Sequence, residues 1–144
     1  MATITGYAAV FNSPADIGDF TEIIDPHAFD TVLKARGLDC TCLFNHSPHH
    51  LLGRNVSGTL RLSVDSRGLR YECDLANTNI AADLYELVKR GDVRASSFGF
   101  FCKRDEWSVD ANGQMRRRIL EVGNLLDVSP VTYPAYPTTS AQLG

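Results

Sequence analysis

The clearest alternation of apolar and polar positions lies in residues 59–75, TLRLSVDSRGLRYECDL. Apolar side chains recur at every second position in two runs, which are Leu60, Leu62 and Val64, then Leu69, Tyr71, Cys73 and Leu75. Successive side chains of a β-strand point to opposite faces, so each run places its apolar residues on one face. A glycine-containing turn separates the runs. The pattern therefore predicts a β-hairpin with one buried face.

A helical period follows in residues 80–90. Apolar residues recur three or four positions apart, at Ile80, Leu84, Leu87 and Val88. This spacing places them on one side of an α-helix, and Gly91 is suited to end it because glycine adopts the left-handed backbone conformation at no steric cost. We predict an amphipathic helix here.

A second helix is predicted earlier in the chain, in FTEIIDPHAFDTVLKARG, because this segment has residues typical of helix ends. Asp25 is a suitable N-cap, Pro26 occupies the first helical position, and Gly37 marks the end. An apolar stripe would be formed by Ile24, Phe29, Val32 and Leu33.

Further strands are predicted near the start of the chain, around DCTCLFN, through ASSFGFF, on the return of a hairpin turning at DANG, and through LLDVSPV. About seven strands and two helices, not in regular βαβ order, indicate a mainly β fold with some α structure (α+β), built on a mostly antiparallel sheet or barrel with helices packed on it. We expect residues 1–144 to form a single domain. The prolines after residue 130 predict an extended C-terminal tail over residues 132–144.

Composition and charge reduce the number of possible classes of function. The 144 residues carry a formal net charge of −3, whereas nucleic-acid-binding domains present a basic face. No apolar stretch approaches the roughly 20 residues that cross a bilayer, and no glycine-rich phosphate loop is present. We expect a soluble protein made in the cytoplasm, without a cofactor and with no nucleic-acid or membrane partner.

The segment RASSFGFF, residues 94–101, places two serines in a strand whose other residues are mostly aromatic. On a strand Ser97 shares its face with Gly99, and Ser96 shares the other with Phe98. Packing alone would favour larger side chains at Ser97 and Gly99, so small residues there indicate a close approach to the backbone, for which a substrate backbone is one candidate.

Three polar residues stand where apolar ones are expected: His46 after CLF, Ser97 in SSFGF, and Asp127 in LLDVS. A serine hydroxyl becomes a nucleophile when a nearby base takes its proton, a role suited to histidine, and a carboxylate can orient that histidine. Each residue also has a structural interpretation. Ser97 could fill space, His46 could lie in a loop, and Asp127 could cap a turn or pair with an arginine such as Arg118.

A zinc site is a further alternative. Cysteine and histidine ligands lie within eleven residues, at Cys40, Cys42, His46, His49 and His50. Structural zinc sites usually use two separated ligand pairs. A C-x-C pair on a strand directs both sulfur atoms to one apolar face, away from the histidines of the following loop.

Eight segments occur in the order found in the prohead maturation proteases of tailed bacteriophages. They are GYAAVFN, EIIDPHAFDTVL, LFNH, LLGR, GLRYECDL, AADLYELVKRGDVRASSFGF, RRILEV and LLDVSPVTYPAYPTT. The chain resembles this family over residues 6–139. Each segment is a weak signal by itself, but eight in order are specific.

This resemblance implies a serine endopeptidase that acts inside the procapsid, in the cytoplasm of the bacterial host. Its substrate would be the scaffold protein or the scaffolding segment of the major capsid protein, and in this family often the protease itself. The resemblance also implies a fold similar to the herpesvirus assemblin proteases, a β-barrel surrounded by a few helices, and a homodimer that supports activity.

Carried over by position, the histidine of the family's NH motif falls on His46, and the serine before x-G-F falls on Ser97. The acidic residue before V-S-P-V falls on Asp127, where glutamate is common in the family, and Glu121 in ILEV is the rival third member. The alternative function is a non-catalytic assembly protein that keeps the protease fold and binds capsid or scaffold protein.

Overall fold

The protein is described from a computed structural model that covers residues 2–144, about half of which lie in β-strands. The strands of these residues are β1 (Thr3–Val10), β2 (Ala15–Asp16), β3 (Phe20–Ile24), β4 (Thr41–Phe44), β5 (Ser47–Arg54), β6 (Leu60–Val64), β7 (Gly68–Asp74), β8 (Ala95–Val109), β9 (Met115–Val131) and β10 (Gln142–Leu143). One α-helix, α1 (Asn79–Arg90), lies between β7 and β8, and two short 3₁₀ turns span Val32–Lys34 and Asn55–Ser57.

The strands form two sheets. The first is antiparallel, in the order β10-β1-β7-β6. The second has the order β2-β3-β9-β4-β5, with β8 also paired to β9. Strand β9 organises this second sheet, because β8 runs antiparallel along it while β3 and β4 pair with it in parallel, at its first and last parts respectively.

The predicted barrel is wrong, although the mainly β class and the mostly antiparallel pairing are confirmed. Over residues 2–144 the sheets do not close into a barrel, and the second sheet is mixed. A single helix replaces the few helices expected. Hairpin signals report pairing between strands that are neighbours in sequence, whereas the parallel pairs of β9 join segments far apart in the chain.

The hairpin β6–β7 and the helix α1 are confirmed. Leu60, Leu69, Tyr71 and Cys73 are buried on one face, as their alternation predicts. Helix α1 begins where the Thr78 hydroxyl accepts a hydrogen bond from the N–H of Ala81, and it ends at Gly91, whose φ of 88° is left-handed. Both caps satisfy backbone groups that a helix end leaves unpaired.

The helix predicted between Asp25 and Gly37 does not form. The carboxylate of Asp25 accepts a hydrogen bond from the N–H of His27, which makes a local turn, and only Val32–Lys34 is helical. The carbonyl of Ala28 accepts the N–H of Val122 in β9 at 2.9 Å. This bond to the sheet replaces the helical bond that the carbonyl would otherwise accept, so the segment stays a series of turns.

The long strands β8 and β9 merge elements that the sequence predicts separately. The return of the DANG hairpin and the LLDVSPV strand form one strand, β9, of 17 residues. Register shifts between β8 and β9 fall around Phe100 to Asp105. The half of β9 that ends at Val131 is mostly buried, whereas in the half that begins at Met115 only Ile119 and Val122 are buried.

The segment after β9 returns to the first sheet. Tyr136, Thr139 and Ala141 are buried, and β10 pairs with the edge of β1. The N–H of Ser140 bonds to the carbonyl of Tyr7 in β1, and the N–H of Ala141 bonds to that of Arg94 beside β8. Residues 139–141 thus bridge the two sheets. No helix within residues 2–144 is long and apolar enough to span a membrane.

Candidate active site

His46 occupies the tight turn between β4 and β5. Phe44 and Ser47 form the last strand pair, so Asn45 and His46 are a two-residue hairpin loop. Their φ angles are 55° and 58°. Positive φ at both positions is the requirement of a type I′ turn, which asparagine tolerates well and most other side chains do not. Positive φ is uncommon for a residue other than glycine, although histidine adopts it more often than most, and such conformations cluster at functional sites.

Asn45 fixes the turn to the end of β9. Its Oδ1 accepts the N–H of Thr132 at 2.9 Å, its Nδ2 donates to the Thr132 hydroxyl at 3.3 Å, and its own N–H donates to the carbonyl of Pro130. The position of His46 is therefore set relative to β9. This role of Asn45 was not predicted from the sequence, although asparagine is typical of the first position in a two-residue hairpin turn.

The clamped turn brings His46 to Asp127. The Nδ1 of His46 lies 2.5 Å from Oδ2 of Asp127, although the two residues are 81 positions apart. Asp127 is in the buried half of β9 and is 7% exposed, whereas the imidazole is 40% exposed. A buried carboxylate thus holds one ring nitrogen of a histidine whose other edge reaches solvent.

Ser97 lies on the same face of the sheet. It is directly opposite Ser129 in the β8–β9 ladder, and opposite residues of an antiparallel pair project to one face with Cβ atoms about 4.5–5.5 Å apart. The Ser129 hydroxyl donates to Oδ2 of Asp127 at 2.5 Å. The hydroxyl of Ser97 has no hydrogen-bond partner in the part of the chain that the structure describes, and none joins it to His46.

Gly99 makes room for the carboxylate of Asp127. The two residues are opposite each other in the ladder, and a Cβ on Gly99 would overlap Oδ1 of Asp127. The small residue predicted to signal a close approach to the backbone does so, but the approaching group is a carboxylate of the neighbouring strand. A substrate backbone is not needed to explain Gly99.

Ser96 points to the opposite face and is fully buried. Its hydroxyl bonds to the Tyr71 hydroxyl at 2.7 Å and donates to the carbonyl of Ser140 at 2.7 Å. The backbone N–H and carbonyl of Ser96 both bond to the Thr139 hydroxyl. Burial raises the pKa of Tyr71 well above its ordinary value, so its hydroxyl stays neutral. Ser96 therefore joins β8 to β7 and the C-terminal segment.

Glu121, the rival third member, lies elsewhere on β9. It is six positions before Asp127, which corresponds to about 20 Å along a strand. Its carboxylate is near Nζ of Lys103 at 3.4 Å and Nε of Arg104 at 3.9 Å. Arg118, the alternative partner considered for Asp127, donates to Asp25 instead.

The residues of the zinc alternative are divided between the core and the surface. Cys40 and Cys42 are fully buried on β4 or just before it, while His49 and His50 are exposed on β5. Burial raises the pKa of the Cys40 thiol to about 12, and a hydrogen bond with Cys73 raises that of Cys42. Metals bind the thiolate form. Within residues 2–144 no three histidine, cysteine or acidic side chains are grouped to hold a metal.

This arrangement is suited to base-assisted chemistry at a hydroxyl. Because Nδ1 of His46 faces a carboxylate, the proton of a neutral imidazole belongs on Nδ1, which leaves Nε2 as the acceptor. Ser97, which is 8% exposed, has a hydroxyl without a partner among the described residues. Together, Ser97, His46 and Asp127 have the residue types of a serine hydrolase.

Comparisons with known proteins identify the family. The model of the caudovirus prohead serine protease family matches residues 1–144. The chain belongs to this family, which confirms the resemblance drawn from the sequence. No curated protein matches the chain.

Among solved structures, the chain is similar to the KSHV protease, a herpesvirus enzyme crystallised in complex with a hexapeptide phosphonate inhibitor. The match has a TM-score of 0.62 at 13% identity and covers all of this chain. The chain spans 65% of that protease. At this identity the likeness establishes the fold, and the predicted herpesvirus-protease-like architecture is confirmed apart from closure of the barrel.

Proposed function

We propose that this protein is a serine endopeptidase of phage capsid maturation. It would cleave the scaffold protein, or the scaffolding segment of the major capsid protein, inside the procapsid in the host cytoplasm, and it would also cleave itself. Membership of the prohead serine protease family supports the class of substrate. The observation that carries the assignment of residues is the 2.5 Å contact of His46 with Asp127 on the sheet face that bears Ser97.

In the proposed mechanism, Oγ of Ser97 attacks the scissile carbonyl carbon while Nε2 of His46 takes the hydroxyl proton. The C–N bond of the tetrahedral intermediate then breaks, and His46 gives that proton to the leaving amine. In the second half, His46 takes a proton from water as the water oxygen attacks the acyl carbon, the bond from that carbon to Oγ of Ser97 breaks, and His46 returns the proton to Oγ. Asp127 keeps the Nδ1 proton in place and stabilises the imidazolium as it forms.

An extended peptide is the form of substrate we propose. The structurally similar KSHV protease was crystallised in complex with a hexapeptide phosphonate inhibitor, and strands recognise extended peptides through main-chain hydrogen bonds. We further propose a homodimer as the active form, by analogy with that fold. Specific activity should then rise with protein concentration, and a concentration-independent monomer in sedimentation would contradict the dimer.

The decisive experiment uses a fluorophosphonate probe and the natural substrates. The probe should phosphonylate Ser97, seen as a mass adduct on the peptide that contains it, and co-expression with the phage scaffold and major capsid protein should yield discrete cleavage products. An adduct on another residue would overturn the assignment of Ser97. No adduct and no cleavage would favour the alternative, a non-catalytic assembly protein that binds capsid or scaffold protein.

A further inference from the structure

The buried serine of β9 has no part in the mechanism just described, yet it touches the same carboxylate oxygen as the histidine. Oδ2 of Asp127 is 2.5 Å from Nδ1 of His46 and 2.5 Å from Oγ of Ser129. Since the carboxylate can only accept, the Ser129 hydroxyl is the donor. Two donors from different parts of the chain therefore converge on one oxygen.

Ser129 is not a rival nucleophile. Its side chain is fully buried, so a peptide carbonyl could not reach the hydroxyl. Ser97, directly across the ladder, is 8% exposed and has a free hydroxyl among the described residues. The two serines that face each other thus differ in access and in hydrogen bonding, which indicates different roles.

The bond from Ser129 restricts how Asp127 can turn. An aspartate side chain has two rotatable bonds, and the final one is broad and roughly two-fold. Ser129 is two residues further along the same strand, so its side chain lies on the same face. One carboxylate oxygen is held by Ser129, and the other lies against the bare backbone of Gly99.

Burial makes the same bond more important. Asp127 is 7% exposed, and a buried polar group needs hydrogen bonds in place of the water that it has lost. Ser129 and His46 supply such bonds to Oδ2. Hydrogen bonds to charged groups are also shorter and stronger than neutral ones.

We propose that Ser129 is a positioning residue of the active site, which holds the Asp127 carboxylate turned toward His46. This inference deepens the proposed function and rests on it for its catalytic consequence. The hydrogen-bond geometry can be tested without catalysis.

The catalytic test measures phosphonylation of Ser97 by a fluorophosphonate, in which the Oγ–P bond forms, the P–F bond breaks, fluoride leaves and His46 takes the proton. Ser129→Ala should lower the maximal rate of labelling about tenfold, as expected for the loss of one bond to a charged group, with little change in the probe's half-saturating concentration. Ser96→Ala is the matched control, because it removes another fully buried serine hydroxyl from the opposite face. It should label at nearly the wild-type rate.

An equal rate for Ser129→Ala and wild type would overturn the proposal, as would an equal loss in Ser96→Ala. Proton NMR provides the second readout. The low-field Nδ1 proton of His46, assigned by its loss in His46→Gln, should move in Ser129→Ala and stay in Ser96→Ala. If wild-type protein is not labelled, the proposed protease function fails, whereas an unmoved Nδ1 proton rejects the role of Ser129 by itself.

Discussion

Strand β8 presents two neighbouring serines to two different environments. Ser96 faces inward, where its hydroxyl bonds to Tyr71 and to the carbonyl of Ser140. Ser97 lies on the sheet face that bears Asp127, which contacts His46, and the Ser97 hydroxyl has no partner in the described residues. The comparison shows that neighbouring residues of one type can be assigned by what their hydroxyls already bind. The hydroxyl of Ser96 is satisfied and joins parts of the fold, whereas the unpartnered hydroxyl of Ser97 is the candidate for chemistry.

The largest effect on activity should come from replacing the two serines of β8 with alanine, one at a time. Ser97→Ala should abolish fluorophosphonate labelling and capsid-substrate cleavage while leaving the fold intact, because it removes the nucleophile and no buried hydrogen bond. Ser96→Ala should retain most activity but lower the free energy of unfolding by about 1–3 kcal/mol, since the buried Tyr71 hydroxyl loses a partner. Labelling rates and urea unfolding of the two variants measure these outcomes. The opposite pattern would reverse the assignment.

Asp127, the proposed third catalytic residue, provides a second test of the face of β8 that bears Ser97. Asp127→Asn should slow labelling and cleavage by about 10⁴, as expected when the amide no longer holds the histidine in its productive tautomer. Glu121→Gln is the control, since Glu121 contacts Lys103 and Arg104, and its rates should stay within about twofold of wild type. A large loss in Glu121→Gln with an active Asp127→Asn would exclude Asp127.

Gly99 tests whether the carboxylate needs the space beside β8. In Gly99→Ala the new methyl group would overlap Oδ1 of Asp127, so the carboxylate must move away from its position against His46. We expect about a hundredfold loss of labelling rate from this displacement and about 1–3 kcal/mol of destabilisation from overpacking. Gly37→Ala, where a Cβ would meet nothing within 4 Å, should change neither. Normal labelling by Gly99→Ala would show that the carboxylate is free to relocate.

The turn that carries His46 offers a smaller test. Asn45→Ala removes both side-chain bonds to Thr132, so the histidine should be less well placed and labelling about tenfold slower. Asn55→Ala is a close match, because Asn55 also clamps a loop through two bonds, to the N–H of Cys40 and the carbonyl of Leu38. It should lose stability but keep its labelling rate. Equal losses of labelling rate in the two variants would show that Asn45→Ala acts by loosening a loop in general and not by displacing His46.

The sequence predicts the local elements of this fold better than their assembly. The hairpin β6–β7 and helix α1 follow from alternation, helical spacing and caps, which are properties of neighbouring residues. The parallel pairing of β9 with β3 and β4 depends on contacts between distant segments, which leave no periodic signal. The false helix after Asp25 fails for the same reason, because a bond from Val122 captures the Ala28 carbonyl.

For the candidate site, residue types and order of motifs name His46, Ser97 and Asp127, but spacing alone does not show that they meet. Asp127 and Ser129 are two positions apart in the sequence, and on a strand this spacing predicts a shared face. That the Ser129 hydroxyl points to the carboxylate depends on side-chain torsions. The role of Gly99 likewise depends on the strand opposite it, which sequence reasoning did not identify.

The smallest predicted effect concerns the Ser96 side and uses a double-mutant cycle. Tyr71→Phe should cost about 1 kcal/mol, because Ser96 still donates to the carbonyl of Ser140. Ser96→Ala should cost more, since it leaves the fully buried Tyr71 hydroxyl without this partner. The double variant should then cost less than the two single losses together, because the second change removes a group that the first left unsatisfied. Urea unfolding of the four proteins measures the coupling, and additive losses would mean that the Tyr71–Ser96 bond does not join β7 to β8 as described. Labelling of Ser97 should remain near wild type in Tyr71→Phe, since that hydroxyl lies on the face of β8 opposite the candidate nucleophile.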